Sequence, residues 1–484
     1  MKTYETVIGL EVHVELATKS KIFCSCTTRF GGEPNTHCCP VCTGMPGTLP
    51  VLNRQVVEYA IAAGLALNCT ITQRCKFDRK NYFYPDLPKA YQISQLYLPI
   101  ARNGGIEIET PAGRKRVRIH EIHMEEDAGK LIHDPWGDCT LVDFNRCGVP
   151  LIEIVSEPDM RSAEEVVAYL EKLKLILQYL GVSDCKMQEG SLRADINLSV
   201  RELGTEEFGT RTEMKNMNSF KAIARAIEGE RKRQIELLEY GKKVVQETRR
   251  WDDNKDSSFA MRSKEDAQDY RYFPEPDLPP IEIGDEWLTR VRSGQPELRD
   301  EKMLRYEKEF EIPVYDASII TSSKHMADLF EGTVAFCGKP KEVSNWLMVE
   351  TMRLLKEQEM DAEDISFTPV QLAKLIGLVE ENKINRTVAK EVFEKIFKEN
   401  IDPEEYVNTH GLGLVSDSGL LRTAIERILA ENPQSVADYK NGKVKAMGFL
   451  VGQTMKEMKG KADPGAVNQL VKELLDALAN AQGQ

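Results

Sequence analysis

The sequence predicts an α+β fold, with a β-rich N-terminal region followed by an all-α helical domain and an all-α tail. Three observations predict it. Short runs alternating strictly between apolar and polar residues recur up to about residue 290, separated by Gly, Pro and Asn turns. Beyond about residue 293 nearly every segment has helical period instead. A break at Thr409-His-Gly-Leu-Gly413 then sets off a last helical module. At 484 residues the chain has room for two or three domains, which fall at 1–292, 293–408 and 409–484.

The alternating runs carry the chemistry. Val12, Val14 and Leu16 alternate with Glu11, His13 and Glu15. Leu192, Ala194, Ile196 and Leu198 alternate with Arg193, Asp195 and Asn197, and Thr212 and Met214 with Arg211, Glu213 and Lys215. A period of two sends one set to the core and the other to the opposite face. A solvated face carries Thr, Lys, Ser and Glu without pattern. Here carboxylates, Arg, Asn and His recur together, which suits a sheet floor for metal ions and phosphates.

Between residues 24 and 42 lie five of the eleven cysteines: Cys24-Ser-Cys26, then Cys38-Cys39-Pro-Val-Cys42. Two close pairs about a dozen residues apart read as a structural four-thiolate zinc site. The knuckle Cys39-Pro-Val-Cys42 selects Cys24, Cys26, Cys39 and Cys42 as ligands, ahead of Cys38, with His37 as the less favoured fourth ligand. Reduced, partly buried thiols are the alternative. The remaining cysteines are scattered and read as small core residues.

In Val117 to Met124 the apolar phase slips near His120, which predicts a β-bulge. After it Glu121, His123 and Glu125 share a face, with Glu126 and Asp127 at the strand end. Adjacent carboxylates repel unless a cation separates them, so Mg2+ is the natural partner of Glu125 and Glu126; a solvated acidic turn is the alternative. Glu153 lies opposite Ile152 and Ile154 on a further strand. Lys80-Asn-Tyr-Phe-Tyr-Pro-Asp-Leu-Pro-Lys89 and Asp269-Tyr-Arg-Tyr-Phe-Pro274 are basic, aromatic-rich turns that either stack on a nucleotide or simply pack.

Helices are predicted from Ser162, with Glu165 as its capping-box partner, to Gly181, and from about Phe220 to Tyr240. Further ones cover Glu301–Glu309, Asn345–Lys356, Pro369–Glu380 and Thr387–Lys398. In the last module six lysines between Lys440 and Lys461 face a single acid, Glu457, around Gly448-Phe-Leu-Val-Gly452. A basic face with small residues suits close approach of an RNA backbone, through Lys443, Lys445, Gly448, Lys456, Lys459 and Lys461; a solvated lysine-rich helix end is the alternative.

Composition narrows the function. The net charge of −13 argues against a protein that coats nucleic acid generally, although local basic patches remain open. No apolar run reaches the roughly 18 residues of a membrane span, and Met1 to Leu10 runs into the first strand without a signal, which implies the cytoplasm. There is neither a P-loop nor a dinucleotide-binding glycine motif. Ser322-Ser323-Lys324 lacks the glycine turns that expose a reactive serine, and Cys147 has no evident His–Asn pair. A chain poor in nucleophiles but rich in carboxylates and cations suits phosphoryl transfer.

Together these stretches resemble the GatB family, the B subunits of tRNA-dependent Asp/Glu amidotransferases, over essentially the whole chain. The resemblance is carried by Ile8-Gly-Leu-Glu-Val-His-Val-Glu15, the cysteines, Glu125-Glu-Asp-Ala-Gly-Lys130, Leu192-Arg-Ala-Asp-Ile-Asn197, Gly209 to Phe220, Asp269 to Pro274 and the Lys443 to Pro464 tail. Ala90 departs from it, standing where the family usually has Gly, and a minor backbone adjustment is expected there.

The resemblance implies that the first 290 or so residues form a cradle related to the glutamine-synthetase-like kinase fold. It implies an enzyme that uses ATP to phosphorylate the side-chain carboxylate of Glu on misacylated tRNA-Gln, or of Asp on tRNA-Asn. Ammonia from a separate glutaminase (A) subunit then displaces phosphate, and the pair is braced in a heterotrimer by a small C subunit. On this reading Glu11, His13, Glu125, Glu126 and Glu213, with Glu153 as a weaker member, hold two Mg2+ ions that bridge ATP phosphates. His13 acts through water or favours Mn2+. Arg193, Arg211 and Lys215 neutralise the transferred phosphoryl group, and Asp195 either ligates metal or positions ammonia. Two rival readings are a tRNA-binding scaffold with a purely structural sheet and a free-standing amide ligase acting on a small molecule. The choice between Glu-tRNA and Asp-tRNA stays open.

Overall fold

Nine strands form one sheet centred on the first alternating run. A computed structural model of the chain describes residues 2–134, 137–263, 270–413, 418–441, 443, 445–458, 462 and 464–480. The strands are β1 (Tyr4–Glu15), β2 (Thr70–Ile71), β3 (Ala101–Thr110), β4 (Gly113–Glu126), β5 (Pro150–Ser156), β6 (Leu192–Glu202), β7 (Thr212–Lys215), β8 (Glu247–Asp252) and β9 (Ser257–Ser263). Their order is β9-β8-β7-β6-β1-β5-β4-β3-β2. β1 runs antiparallel to both neighbours, placing His13 opposite Glu153 on one side and Arg193 on the other, and Glu11 opposite Asp195.

One face of this sheet is the core. Ile8, Leu10, Val12 and Val14 of β1 join Ile122 and Met124 of β4, Ile152 and Ile154 of β5, and Leu192, Ile196 and Leu198 of β6. Helices α1 (Arg54–Ala66), α2 (Ala163–Leu180) and α3 (Phe220–Glu239) cover it with Val57, Ile61, Leu170, Leu173, Ile223 and Ile227. Each such side chain contributes about 1.5–3 kcal/mol by leaving water. The helices hold the sheet from one side and leave the charged face open.

Local signals set the element ends. Ser162 caps α2 by accepting from the Glu165 N–H, and Gly181 ends it at φ +70°. Glu165 does not close the capping box; its carboxylate takes the Arg161 N–H and the Lys115 ammonium. The register of β4 on β5 shifts where Ser156 pairs with Ile119 and Val155 with Glu121, so His120 is the extra residue of a bulge. That residue lets Ile119 and Ile122, three apart, both reach the core.

The chain divides into two compact units, Met1–Arg299 and Asp300–Gln484. Every element assigned among the described residues of the second unit is helical. One of its cores gathers Phe330, Trp346, Leu372, Ile376, Phe393 and Phe397, and another Leu421, Ile425, Leu450, Val467, Val471 and Leu475. The expected continuous helix over Asn345–Lys356 is interrupted by a π-helical segment, Trp346–Thr351, where the Thr351 hydroxyl donates to the Trp346 carbonyl oxygen. One extra residue in a turn leaves the apolar spacing nearly unchanged, which hides it from a periodicity reading. Among the described residues no helix is long and apolar enough to cross a membrane.

Ala90 does not relax its backbone. It keeps φ +61°, the left-handed conformation that Gly adopts without strain. Ala90→Gly relieves about 1–2 kcal/mol of strain and loses about 0.4–1 kcal/mol through a more flexible unfolded chain. The first unit of the variant should therefore be about 0.5–1 kcal/mol more stable in urea unfolding. An unchanged or lower midpoint would mean that the turn has relaxed around the Ala Cβ.

Candidate active site on the open sheet face

The open face gathers the polar members of the alternating runs into a cavity of about 1220 Å³. Glu11, His13, Glu153, Asp195, Glu213 and Lys215 form its floor, and Lys80 to Tyr84, Tyr270, Arg271 and Phe273 line it from the surrounding loops. Asp269, at the start of the second loop motif, lies outside the described residues. A second cavity of about 530 Å³ along β1 and β6 shares Glu11, Arg211 and Gln246 with the first.

Two groups of donor atoms converge on this floor. His13, Glu125 and Glu153 come together, one from each of β1, β4 and β5, with all donor atoms within 4.8 Å of one another. His13 Nε2 lies 3.5 Å from a Glu125 oxygen and 3.9 Å from a Glu153 oxygen. These spacings lie between the roughly 3.0 Å of adjacent and 4.2 Å of opposite ligands around an octahedral ion with bonds of about 2.1 Å. Burial holds the His13 imidazole down at about 4, so it is the neutral species that metals bind. Burial, then the neighbouring Glu153, pushes Glu125 up to about 7. Among the described residues neither carboxylate has a Lys or Arg within 4.0 Å. A divalent cation fits this donor set.

The second group is Glu11, Asp195 and Glu213. Here Lys215 stands among the carboxylates, 2.5 Å from Asp195 and 3.2 Å from Glu213. Burial opposes the ammonium, but Asp195 and Glu213 outweigh it and hold the lysine charged. Asn197 donates to Glu11 at 2.9 Å, and Thr248 to Glu213 at 2.7 Å, fixing both carboxylates. Arg211 is exposed at the rim of both cavities.

Three residues stand differently from their sequence reading. Glu126 is turned away from Glu125, because adjacent residues of a strand point to opposite faces. Its carboxylate pairs with the Lys89 ammonium and accepts the Ile93 N–H at 3.0 Å, and it belongs to neither donor group. Arg193 is opposite His13 in register, yet its guanidinium binds Asp127 at 2.8 Å and lies 3.8 Å from Glu15. Lys80, given no role of its own in the sequence beyond membership of an aromatic-rich turn, stands in the cavity, 4.9 Å from the Tyr270 ring centre. Burial opposes its charge; Tyr272, Glu125 and Glu153 outweigh that and raise it.

The sulfurs of Cys24, Cys26, Cys39 and Cys42 lie within 4.8 Å of one another. Those of Cys39 and Cys42 are 3.9 Å apart, close to the roughly 3.8 Å edge of a tetrahedron with 2.3 Å zinc–sulfur bonds. A hydrogen bond from the Cys24 thiol, helped by Lys21, holds Cys42 down at about 4. Cys38 instead donates to the Asn35 carbonyl oxygen, and the His37 ring lies against the Arg29 carbonyl. The four thiols fit zinc.

On the tail, the helix Lys445–Glu457 exposes Lys445, Gly448, Phe449, Gly452 and Lys456 at spacings that share one face, and Lys443 is exposed just before it. A Cβ at Gly448 or Gly452 would meet nothing within 4 Å, so both leave the face open. Lys459 and Lys461 lie outside the described residues.

Because Glu153 crowds Glu125, Glu153→Gln should raise the melting temperature of the metal-free chain, a gain of about 0.5–2 kcal/mol. It should also weaken Mn2+ binding, read by electron paramagnetic resonance, by at least tenfold. A variant that is less stable in EDTA and binds Mn2+ as wild type does would sink the first donor group.

Known proteins match the chain along nearly its whole length. Residues 6–289 match the GatB/GatE catalytic domain and residues 328–475 the GatB domain. The B subunit of the aspartyl/glutamyl-tRNA(Asn/Gln) amidotransferase of Lachnoclostridium phytofermentans is 78% identical over 475 residues, covering 98% of this chain and 99% of the relative. That of Agathobacter rectalis is 71% identical over 475 residues, covering 98% and 100%. That of Caldicellulosiruptor bescii is 61% identical over 478 residues, again covering 98% and 100%. With both family domains matched and this identity along nearly its whole length, the chain belongs to the GatB family of amidotransferase B subunits.

Proposed function

We propose that the open sheet face catalyses ATP-dependent phosphorylation of the side-chain carboxylate of Glu on misacylated tRNA-Gln, or of Asp on tRNA-Asn, followed by amidation. The observation that carries this reading is the pair of donor groups on one floor, His13 with Glu125 and Glu153, and Glu11 with Asp195 and Glu213. Two divalent ions held there would neutralise the ATP phosphates and clamp them for in-line transfer.

The chain's own residues do the rest. The acceptor carboxylate oxygen attacks the γ-phosphorus, the bond from that phosphorus to the β-bridging oxygen breaks, and ADP leaves with an acyl phosphate formed. Lys80, Arg211 and Lys215 surround the transferred group and neutralise its equatorial oxygens. The second cavity gives the nucleoside room beside the floor. Ammonia then attacks the acyl carbon, inorganic phosphate departs, and the nitrogen loses a proton as the amide forms. Arg193 acts indirectly, fixing Asp127 and Glu15 at the edge of the floor. The four cysteines hold zinc as a structural centre.

Ammonia is supplied by a glutaminase partner, and the assembly is completed by a small third protein. Residues 1–292 serve as the catalytic cradle, 293–408 as a helical domain and 409–484 as the tRNA-binding tail. The exposed lysines at 443, 445 and 456 support that last role.

Glu125→Gln should lower tRNA-dependent ATP hydrolysis and amide formation by about 10³-fold or more while the partner's glutaminase continues. Retained amidation would leave the sheet face structural, and activity on free glutamate would favour a small-molecule ligase. For the tail, replacing Lys443, Lys445 and Lys456 with Ala should reduce the slope of log K against log salt for tRNA binding by about 2–3, at roughly 0.7–0.9 per lost phosphate contact. An unchanged slope would return those lysines to plain solvation.

A further inference from the structure

Lys21 is fully buried, yet among the described residues no carboxylate pairs with it. Its ammonium donates to the His37 carbonyl oxygen at 2.7 Å and to Cys42 Sγ at 3.5 Å. A buried ammonium needs an anionic partner, and the sulfur of Cys42 is the one group in contact that can become one. The same residue also reaches the other cysteine pair, since its main-chain N–H donates to the Cys26 carbonyl oxygen at 3.0 Å. Lys21 therefore spans the centre, with main chain at Cys24–Cys26 and ammonium at Cys39–Cys42.

Four thiolates around one zinc ion carry a net charge of minus two, and nothing about tetrahedral ligation itself removes it. A fixed positive group donating to one sulfur offsets half of that charge and fixes the sulfur's direction. A lysine present only to fill the core would be matched by a residue without charge. We infer that Lys21 is the charge-compensating positioning residue of the cysteine centre, stabilising its zinc-loaded form through the Cys42 sulfur. This rests on the zinc reading above.

The test uses the full-length chain and its Lys21→Met variant. Wild type should carry one zinc per chain by elemental analysis. Lys21→Met should release zinc to a chromophoric chelator about 10- to 100-fold faster, the range typical of lost outer-shell partners. The variant should also lose more melting temperature in the zinc-loaded form than in the chelated form. Should Lys21→Met fail to fold, Lys21→Gln, which keeps a donor for the His37 carbonyl but no charge, should show the same release. Wild type without zinc would overturn the zinc reading and this assignment with it. Zinc-loaded wild type together with unaltered release, or equal melting losses with and without zinc, would overturn the role of Lys21 alone.

Discussion

The register of β1 is the constraint on which the site depends. This strand is paired on both sides, so each of its outward residues is fixed against two neighbours at once. His13 meets Glu153 across one ladder, and Glu11 meets Asp195 across the other. A slip by one residue would send Ile8, Leu10, Val12 and Val14 out and bury Glu11 and His13. The apolar set, held under three helices, therefore fixes the donor geometry as firmly as any contact within the cavity. Burial on one face is the reason the other can be exact in position without being well packed.

That other face is built against its own stability. Glu125 and Glu153 share a site with an uncharged imidazole and no adjacent Lys or Arg among the described residues, while Glu11, Asp195 and Glu213 have Lys215 among them. The difference separates two kinds of cation site. The first group has no Lys or Arg in direct contact among the described residues, and Lys80 acts on its carboxylates only from across the cavity. In the second, an ammonium already stands among the carboxylates.

Much of this is legible in the sequence. Period-two alternation marks Glu11, His13, Asp195, Glu213 and Lys215 as sharing a face, and the phase slip at His120 locates the bulge that keeps Glu125 with them. What fails has definite causes. Pairing Glu125 with Glu126 reads chemical adjacency where the pleat separates neighbours. Arg193 looks free because its partner Asp127 is distant in sequence, and a side chain's choice between a substrate and a carboxylate leaves no local pattern. Lys80 is read only as part of a turn because it belongs to a short strand in a small separate sheet, brought over the floor by long-range pairing of Asp78–Asn81 with Tyr91–Ser94 and Phe273–Pro274. The π-helical turn at Trp346 changes the count of residues in a turn without changing the apolar stripe.

The cysteine centre and the floor of the open face are one construction at the level of the main chain. Ile22, next to Lys21, donates its N–H to the Gly148 carbonyl oxygen, and the Gly148 N–H donates to the Asp127 carbonyl oxygen. Asp127 in turn holds Arg193, whose strand faces His13. Gly148 itself, at φ +80°, would place a Cβ 3.4 Å from Cys42, so the turn and the thiol are closely apposed. Two hydrogen bonds and one ion pair thus connect the cysteine loops to the strand that carries the floor. On this geometry a metal held by the four cysteines would steady the edge of the sheet.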